Sequence, residues 1–175
     1  MSSYNRSLYL RYADALRHPG HFSTAISEFF AKDANINVVH PFNEIQSADA
    51  FFLKFMAPLQ QAFEGLYRRD YIFMTGQFEG KDWISSTGYY VGRFAKDWIG
   101  IKATDTLCYL RYGEFHQVKK GKVVESYIYL DIPELMIACN EWPLKMGPGL
   151  SRGYTGLIQG PASRDGVIAK ASDPN

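Results

Sequence analysis

Cysteine is almost missing from this sequence: Cys108 and Cys139 are the two it contains. Both sit in apolar surroundings, at a spacing that suits neither a metal site nor a redox pair, which points to a reduced, intracellular protein. Long apolar runs are missing too. The opening stretch "MSSYNRSLYLRY" has no apolar run of signal-peptide length, and no segment is long enough to span a bilayer. A cytoplasmic protein without a membrane partner is therefore expected. Charge of one sign is scarce. The formal net charge is +1, and the densest basic run, "KKGK" at 119–122, reads as a turn. Without clustered positive charge, nucleic acid is not an expected partner. The four histidines, His18, His21, His40 and His116, show no metal-ligand spacing, so no metal is assigned and no other cofactor is expected. There is no internal repeat and no low-complexity run.

Aromatic residues are what the chain has in quantity. They make up 15% of it, with Tyr and Phe equal in number at 12 each. Aromatics with a polar handle suit a pocket or an interface, although they also fill cores. Hydrophobic residues at 46% and charged residues at 21% allow an ordinary globular core, and 175 residues fit one domain with a tail.

Hydrophobic spacing divides the chain into elements. Residues 4–17, "YNRSLYLRYADALR", carry Leu8, Tyr12 and Ala15 between polar residues and form a short amphipathic helix stopped by "HPG". Ser23 is read as the N-cap of a second helix, "TAISEFFA", with Ile26, Phe29 and Phe30 inside. "ANINVVHPF" is a strand closed by Pro41, and "NEIQS" is its short return. Ser47 caps the longest helix, "ADAFFLKFMAPLQQAFEG", whose stripe Phe51, Phe55, Leu59 and Phe63 faces the core and whose Pro58 should kink or split it. From residue 66 the period changes. "LYRRDYIFMTGQFEG", "DWISSTGYYVGRFAKDW", "DTLCYLRYGEFHQV" and "KVVESYIYLD" are four long strands. "FEGKDW" and "KKGK" are hairpin turns, "KDWIGIKATD" is a longer connection able to form a flap, and "DIPELMIACNEW" is a closing helix. Glycines inside the strands suggest bulges and bending. Residues 1–145 form the single domain of this reading. Residues 146–175, rich in Gly, Pro and Ser, form a tail or linker. Strand runs segregated from helices give an α+β domain.

That order, and the residues that carry it, resemble the SnoaL-like polyketide cyclase branch of the nuclear-transport-factor-2-like superfamily over roughly residues 20–145. "FFAKDANINVVHPFNEIQSADAFFLKFMAPLQQAF" looks like the family's stretch from second helix through first strand to third helix. "WISSTGYYVGRFAKDWIGI" is similar to its Thr-Gly-x-Tyr strand and Gly-Ile connection, and "LRYGEFHQVKKGKVVESYIYLD" to its closing hairpin. The resemblance implies a cone with three N-terminal helices, a curved mixed or antiparallel sheet and a central pocket. It also implies a homodimer and cofactor-free acid/base chemistry on a hydrophobic carbonyl compound. It carries the acid/base Asp onto Asp131 and a His onto His116, with substrate contacts at Glu114, Tyr129 and His40. Tyr129 stands where the family has His, Glu114 where it has an amide, and Tyr127 where Trp is common. Some relatives carry two such domains, and "QGPASRDGVIA" resembles the linker after their first copy; this chain reads as a single-domain version.

The closing hairpin is where the chemistry concentrates. Paired about "KG", His116 faces Glu125, Glu114 faces Tyr127 and Tyr112 faces Tyr129, which gathers the ionisable and phenolic groups on one face with Asp131 further along it. Each candidate also has a plain structural role. Asp131 suits the N-cap of "IPELMIA" as well as a general acid or base. His116 suits an interior histidine as well as an acid/base partner. Glu114 could pair with a surface cation, and Tyr127 and Tyr129 could only pack. His40 could line the pocket mouth or merely turn the chain, and Trp98 could pack or act as a lid. Arg68, Arg69 and Asp70 read as a solvated strand end. Three functions stay open: a cofactor-independent cyclase, isomerase or dehydratase; a small-molecule-binding module; and a dimeric interaction protein with a filled cone.

Overall fold

The structure, a computed structural model, describes residues 2–144. The tail expected at 146–175 lies outside the described residues. Helix α1 (Ser2–Ala15) leads through a 3-10 turn (Pro19–His21) into α2 (Phe22–Phe29). Phe22, Ala25, Ile26 and Phe29 recur in α2 at steps of three and four and are all buried, the one-sided pattern that docks a helix on a core. The N-cap of α2 is His21, without a side-chain cap bond, and not Ser23. The 3-10 turn runs straight into the helix and leaves no free N-terminus at Ser23 to cap.

Strands β1 (Phe30–Val38) and β2 (Asn43–Gln46) form the first hairpin, with a cis His40–Pro41 peptide in its turn. Ser47 caps the following helix as expected, its side chain accepting from the Ala50 amide at 3.1 Å. Helix α3 (Ala48–Phe51) passes through a five-residue π segment (Phe52–Met56) into α4 (Ala57–Ala62), with Pro58 in the first turn of α4. The Ala57 N–H closes the wide turn on the Phe52 carbonyl. A widened turn accommodates a proline that has no N–H to give and whose ring needs room.

The long strands β3 (Phe63–Phe78), β4 (Lys81–Phe94), β5 (Leu107–Lys119) and β6 (Lys122–Leu130) precede a short α5 (Ile132–Ala138). All six strands form one curved, unclosed sheet in the order β2-β1-β6-β5-β4-β3. β1 runs parallel to β6 and the other pairs are antiparallel, so the sheet is mixed. This is the α+β architecture the sequence indicated. Rings fill the space between helices and sheet. Phe22, Phe29, Phe30, Phe51, Phe55 and Phe63 are buried, and Tyr12 of α1 stacks on Phe29 with centroids 3.9 Å apart.

Candidate functional site

The β5–β6 hairpin sets which side chains meet, and its register differs from simple pairing about the turn. Val118 does face Val123, but Gln117 faces Glu125, so β6 holds one extra residue, Val124, in a bulge. Beyond the bulge every β6 side chain changes face, because the side-chain period of a strand is two. His116 therefore faces Ser126, Glu114 faces Ile128 and Tyr112 faces Leu130. Tyr112, Glu114 and His116 point inward and are buried, whereas Tyr127 and Tyr129 point outward with Phe115 and are exposed. The single polar face expected from the sequence is thus split between two faces of the sheet. Glu114 and His116 belong to the interior; Glu125, Tyr127 and Tyr129 belong to the outer surface.

The partners of Glu114 and His116 come from β3 and α1. Arg68, fully withdrawn from water, is the centre. Its Nε donates to Asp70 Oδ1 at 2.9 Å and to the Tyr112 hydroxyl at 3.0 Å. Nη1 donates to Glu114 Oε2 at 3.2 Å, and Nη2 makes a short bond to Glu114 Oε1, giving a two-pronged ion pair. Nη2 also donates to the Tyr9 hydroxyl at 2.8 Å. The guanidinium lies 4.1 Å from the centroid of the Tyr112 ring, with the rings of Tyr9, Tyr12 and Tyr90 within 6 Å. Ser86 Oγ donates to Glu114 Oε1 at 2.7 Å. His116 Nδ1 is bonded to Ser126 Oγ at 2.7 Å, and Nε2 lies 3.1 Å from Glu114 Oε1 but off the line of a well-directed hydrogen bond.

One close approach makes this possible. Asp70, Gly88 and Tyr112 stand side by side across β3, β4 and β5. A Cβ on Gly88 would lie 2.1 Å from the Arg69 carbonyl oxygen and 2.7 Å from the Tyr112 hydroxyl. The bare glycine lets that hydroxyl cross β4 and donate to Asp70 Oδ1 at 2.6 Å. Arg68 and Asp70, read from sequence as a solvated strand end, are buried instead. The signal was present: Arg-x-Asp on a strand puts both on one face, and Leu66 on that same face marks it as the core side.

Burial and charge oppose each other here. Burial pushes the Glu114 carboxyl up, but the Arg68 guanidinium and then His116 outweigh it and hold Glu114 well below the usual carboxylate range. Burial pulls Arg68 down, and the charges of Asp70 and Glu114 reverse this and raise it. Burial raises the phenols of Tyr9, Tyr12, Tyr90 and Tyr112, so they stay neutral donors.

The other sequence candidates lie apart from this cluster. Asp131 sits at the N-terminus of α5, where Oδ1 accepts from the Glu134 amide at 3.0 Å. His40 is exposed and borders a hollow of about 310 Å³ with Ile99, Ile132 and Met136. Trp98, in the connection expected to form a flap, is buried against Phe42 and Phe63 and borders a hollow of about 280 Å³. A third hollow, about 270 Å³, lies between α1 and α2. The largest, about 710 Å³, is a groove on the outer sheet face lined by Met74, Phe78, Trp83, Phe115, Tyr127 and Tyr129. None of these four is lined by Arg68, Asp70, Glu114 or His116. Among the described residues, no group of three or more His, Cys, Asp or Glu side chains is placed to hold a metal ion, and no helix is long and apolar enough to cross a membrane.

No protein-family model matches the chain, and no curated protein matches it. Solved structures do. AclR, a candidate hydroxylase from Streptomyces galilaeus, aligns with a TM-score of 0.68 at 20% identity, over 82% of this chain and 100% of that one. A candidate SnoaL-like polyketide cyclase from Jannaschia sp. CCS1 aligns with a TM-score of 0.63 at 16% identity, over 82% of this chain and 95% of that one. IdmH, a candidate polyketide cyclase from Streptomyces antibioticus, aligns with a TM-score of 0.60 at 15% identity, over 77% and 96%. At these identities the likeness is one of fold, and the fold is the SnoaL-like, nuclear-transport-factor-2-like cone.

Proposed function

We propose that this protein takes a small or mid-sized apolar carbonyl compound at the inner face of its sheet and moves protons on it without a cofactor, as a cyclase, isomerase or dehydratase does. The observation that supports this reading is the buried set Arg68, Asp70, Glu114 and His116, each less than a tenth exposed. Replacing such an ionic set by apolar residues is often neutral or stabilising, so stability alone is a weak reason to keep it. Two members of the set, Glu114 and Arg68, are held charged against the cost of burial, and buried groups perturbed in this way gather at functional sites. Two of its atoms, Asp70 Oδ2 and His116 Nε2, are buried without a hydrogen-bond partner, and a bound polar group would satisfy them.

His116 is the proton carrier in this reading. Ser126 fixes its ring through Nδ1, which leaves Nε2 for the exchange. Glu114, kept anionic by Arg68, stabilises the imidazolium that forms when Nε2 takes a proton. The neutral phenol of Tyr90 is the donor toward an enolate or carbonyl oxygen. Asp131 keeps the α5 cap and leaves the proton to His116. Glu114 orients the site, while His40, Trp98, Tyr127 and Tyr129 lie outside it. The test starts from the ligand: protein purified from its native host is denatured, and released compounds are identified by mass spectrometry. His116→Gln should then lose at least about 100-fold in turnover of that compound or its analogues. Retained turnover sinks the reading.

A second reading has its own observation. The outer groove exposes Met74, Phe78, Phe115 and Tyr129, each about half or more exposed. Such a patch suits a partner protein, and a second copy of this chain is the partner proposed. The two readings are compatible, and a dimer without any released compound or turnover would leave the interaction role alone.

A further inference from the structure

The Asp70 carboxyl is occupied in a lopsided way. Oδ1 receives three donors: the Tyr9 hydroxyl at 2.5 Å, the Tyr112 hydroxyl at 2.6 Å and Arg68 Nε at 2.9 Å. Oδ2 receives none, although it is buried. Two of the donors, on β3 and β5, are fixed by the sheet. The third arrives on α1, the outermost element in sequence.

Helix α1 is held by its side chains rather than by its ends. It has no acidic residue in its first turn and no basic residue in its last, so its ends do not complement the helix dipole. A helix of 14 residues is marginal on its own. Among the contacts that hold it are one face, on which Leu8, Tyr9, Tyr12 and Ala13 are buried, the Arg6 guanidinium over the Phe73 ring, and, just past its end, a backbone bond from Arg68 N–H to the Leu16 carbonyl at 3.0 Å. The turn behind it, "RHPGH", contains Pro19 and Gly20 and is the hinge on which it would pivot. Tyr9 is the part that reaches the charged cluster. Its ring stacks on Phe73 at 4.9 Å, and its hydroxyl bridges Arg68 and Asp70.

We infer that α1 is a cover over the buried cluster, and that the Tyr9 phenol holds the place of a ligand hydroxyl, which docks on Asp70 and Arg68 when α1 lifts. This rests on the proposed function insofar as the uncovered cluster is its site. The ligand's O–H would donate to Asp70 and its oxygen would accept from Arg68, as the Tyr9 hydroxyl does. The slot left by the Tyr9 ring is walled by Phe73 and Phe29, so a flat ring beside that hydroxyl fits it. The closed cone and the buried charges then have one explanation: the structure is the covered state, with the site occupied from within.

The test compares 2-naphthol with its methyl ether, 2-methoxynaphthalene, on the full chain. Hydrogen exchange is followed by mass spectrometry in the wild type and in Tyr9→Phe. The phenylalanine keeps the ring and removes the competing hydroxyl. With 2-naphthol, amides of residues 2–16 should exchange faster while those of β3 and β5 are protected. The ether should do neither. Tyr9→Phe should bind 2-naphthol about tenfold more tightly, because less of the binding energy goes to displacing the cover. Unchanged exchange of α1 with both probes in both proteins overturns the inference, as does equal response to naphthol and ether. Protection of β3 and β5 with α1 still closed overturns the cover and leaves the acid/base reading intact. A His116→Gln enzyme that keeps full turnover, while naphthol still opens α1, overturns that reading and leaves the cover.

Discussion

Arg68 decides most of what happens at the centre of this protein. It pairs with two carboxyls and touches the faces of four tyrosines, so its removal strands Asp70 and Glu114 in the interior. Breaking a buried ion pair from one side costs about 3–5 kcal/mol. Arg68→Met should therefore lower stability in urea denaturation by that order, and Arg68→Lys should recover only part of it, because an ammonium cannot make the two-pronged contact. A variant that unfolds at the same midpoint would mean the cluster is held otherwise. Glu114 gives a pH signature. Its carboxyl is held low in the folded protein, while the unfolded chain takes up a proton near the ordinary value of 4.5. The resulting stability is fully present above that value and is lost as the pH falls toward the lower folded value, because the unfolded chain then binds a proton that the folded one refuses. Glu114→Gln should start less stable and show a flatter acid limb in a denaturation series from about pH 7 down to about pH 3. Equal slopes for the two proteins would exclude an ionised Glu114 in the folded state.

At the scale of elements, two short features carry the arrangement. The first is the bulge at Val124. Alternation in "GEFHQV" and "VESYIYLD" was legible, and it put His116 and Glu114 together on one face; that this face is the buried one came from the structure. The face of Tyr127 and Tyr129 was not legible, because a single unpaired residue reverses everything after it and nothing in "KVVES" distinguishes a bulge from a continuous ladder. Arg68 and Asp70 were missed for a related reason: charge suggested solvent, and only the ion pairs of Arg68 with its neighbour Asp70 and with Glu114, 46 residues away, make burial tolerable. The second feature is the start of α5. Asp131 accepts the Glu134 amide there, and Asp and Asn cap about equally well. Asp131→Asn should therefore keep both the melting temperature and any turnover, whereas Asp131→Ala should cost about 1 kcal/mol. Loss of turnover in Asp131→Asn at an unchanged melting temperature would return the acid/base role to Asp131.

For the whole molecule the sheet has two unlike faces, and the bulge is what makes them so. Inward it presents a charged cluster under helices. Outward it presents rings: Phe78, Phe115 and Tyr129 stand exposed, and Trp83 stacks against Tyr127 with centroids 6.5 Å apart. Rings left on the surface beside a groove of about 710 Å³ are a costly arrangement for a monomer. A second copy laid sheet to sheet would cover them with the same patch, since a two-fold interface matches a surface to itself. A stable interface of this kind removes about 800 Å² from each partner, more than the groove alone supplies, so the rims of β3 and β6 must take part. Light scattering should then give twice the chain mass. Phe115→Glu, which sets a charge at the centre of the patch while leaving the inward cluster untouched, should give a single chain mass with the fold retained by circular dichroism. Trp83 reports the same event, because its emission should shift to the red when the partner leaves. A wild-type protein that runs as a single chain at high concentration, with Trp83 emission indifferent to Phe115→Glu, would remove the dimer and leave the outer groove to some other partner.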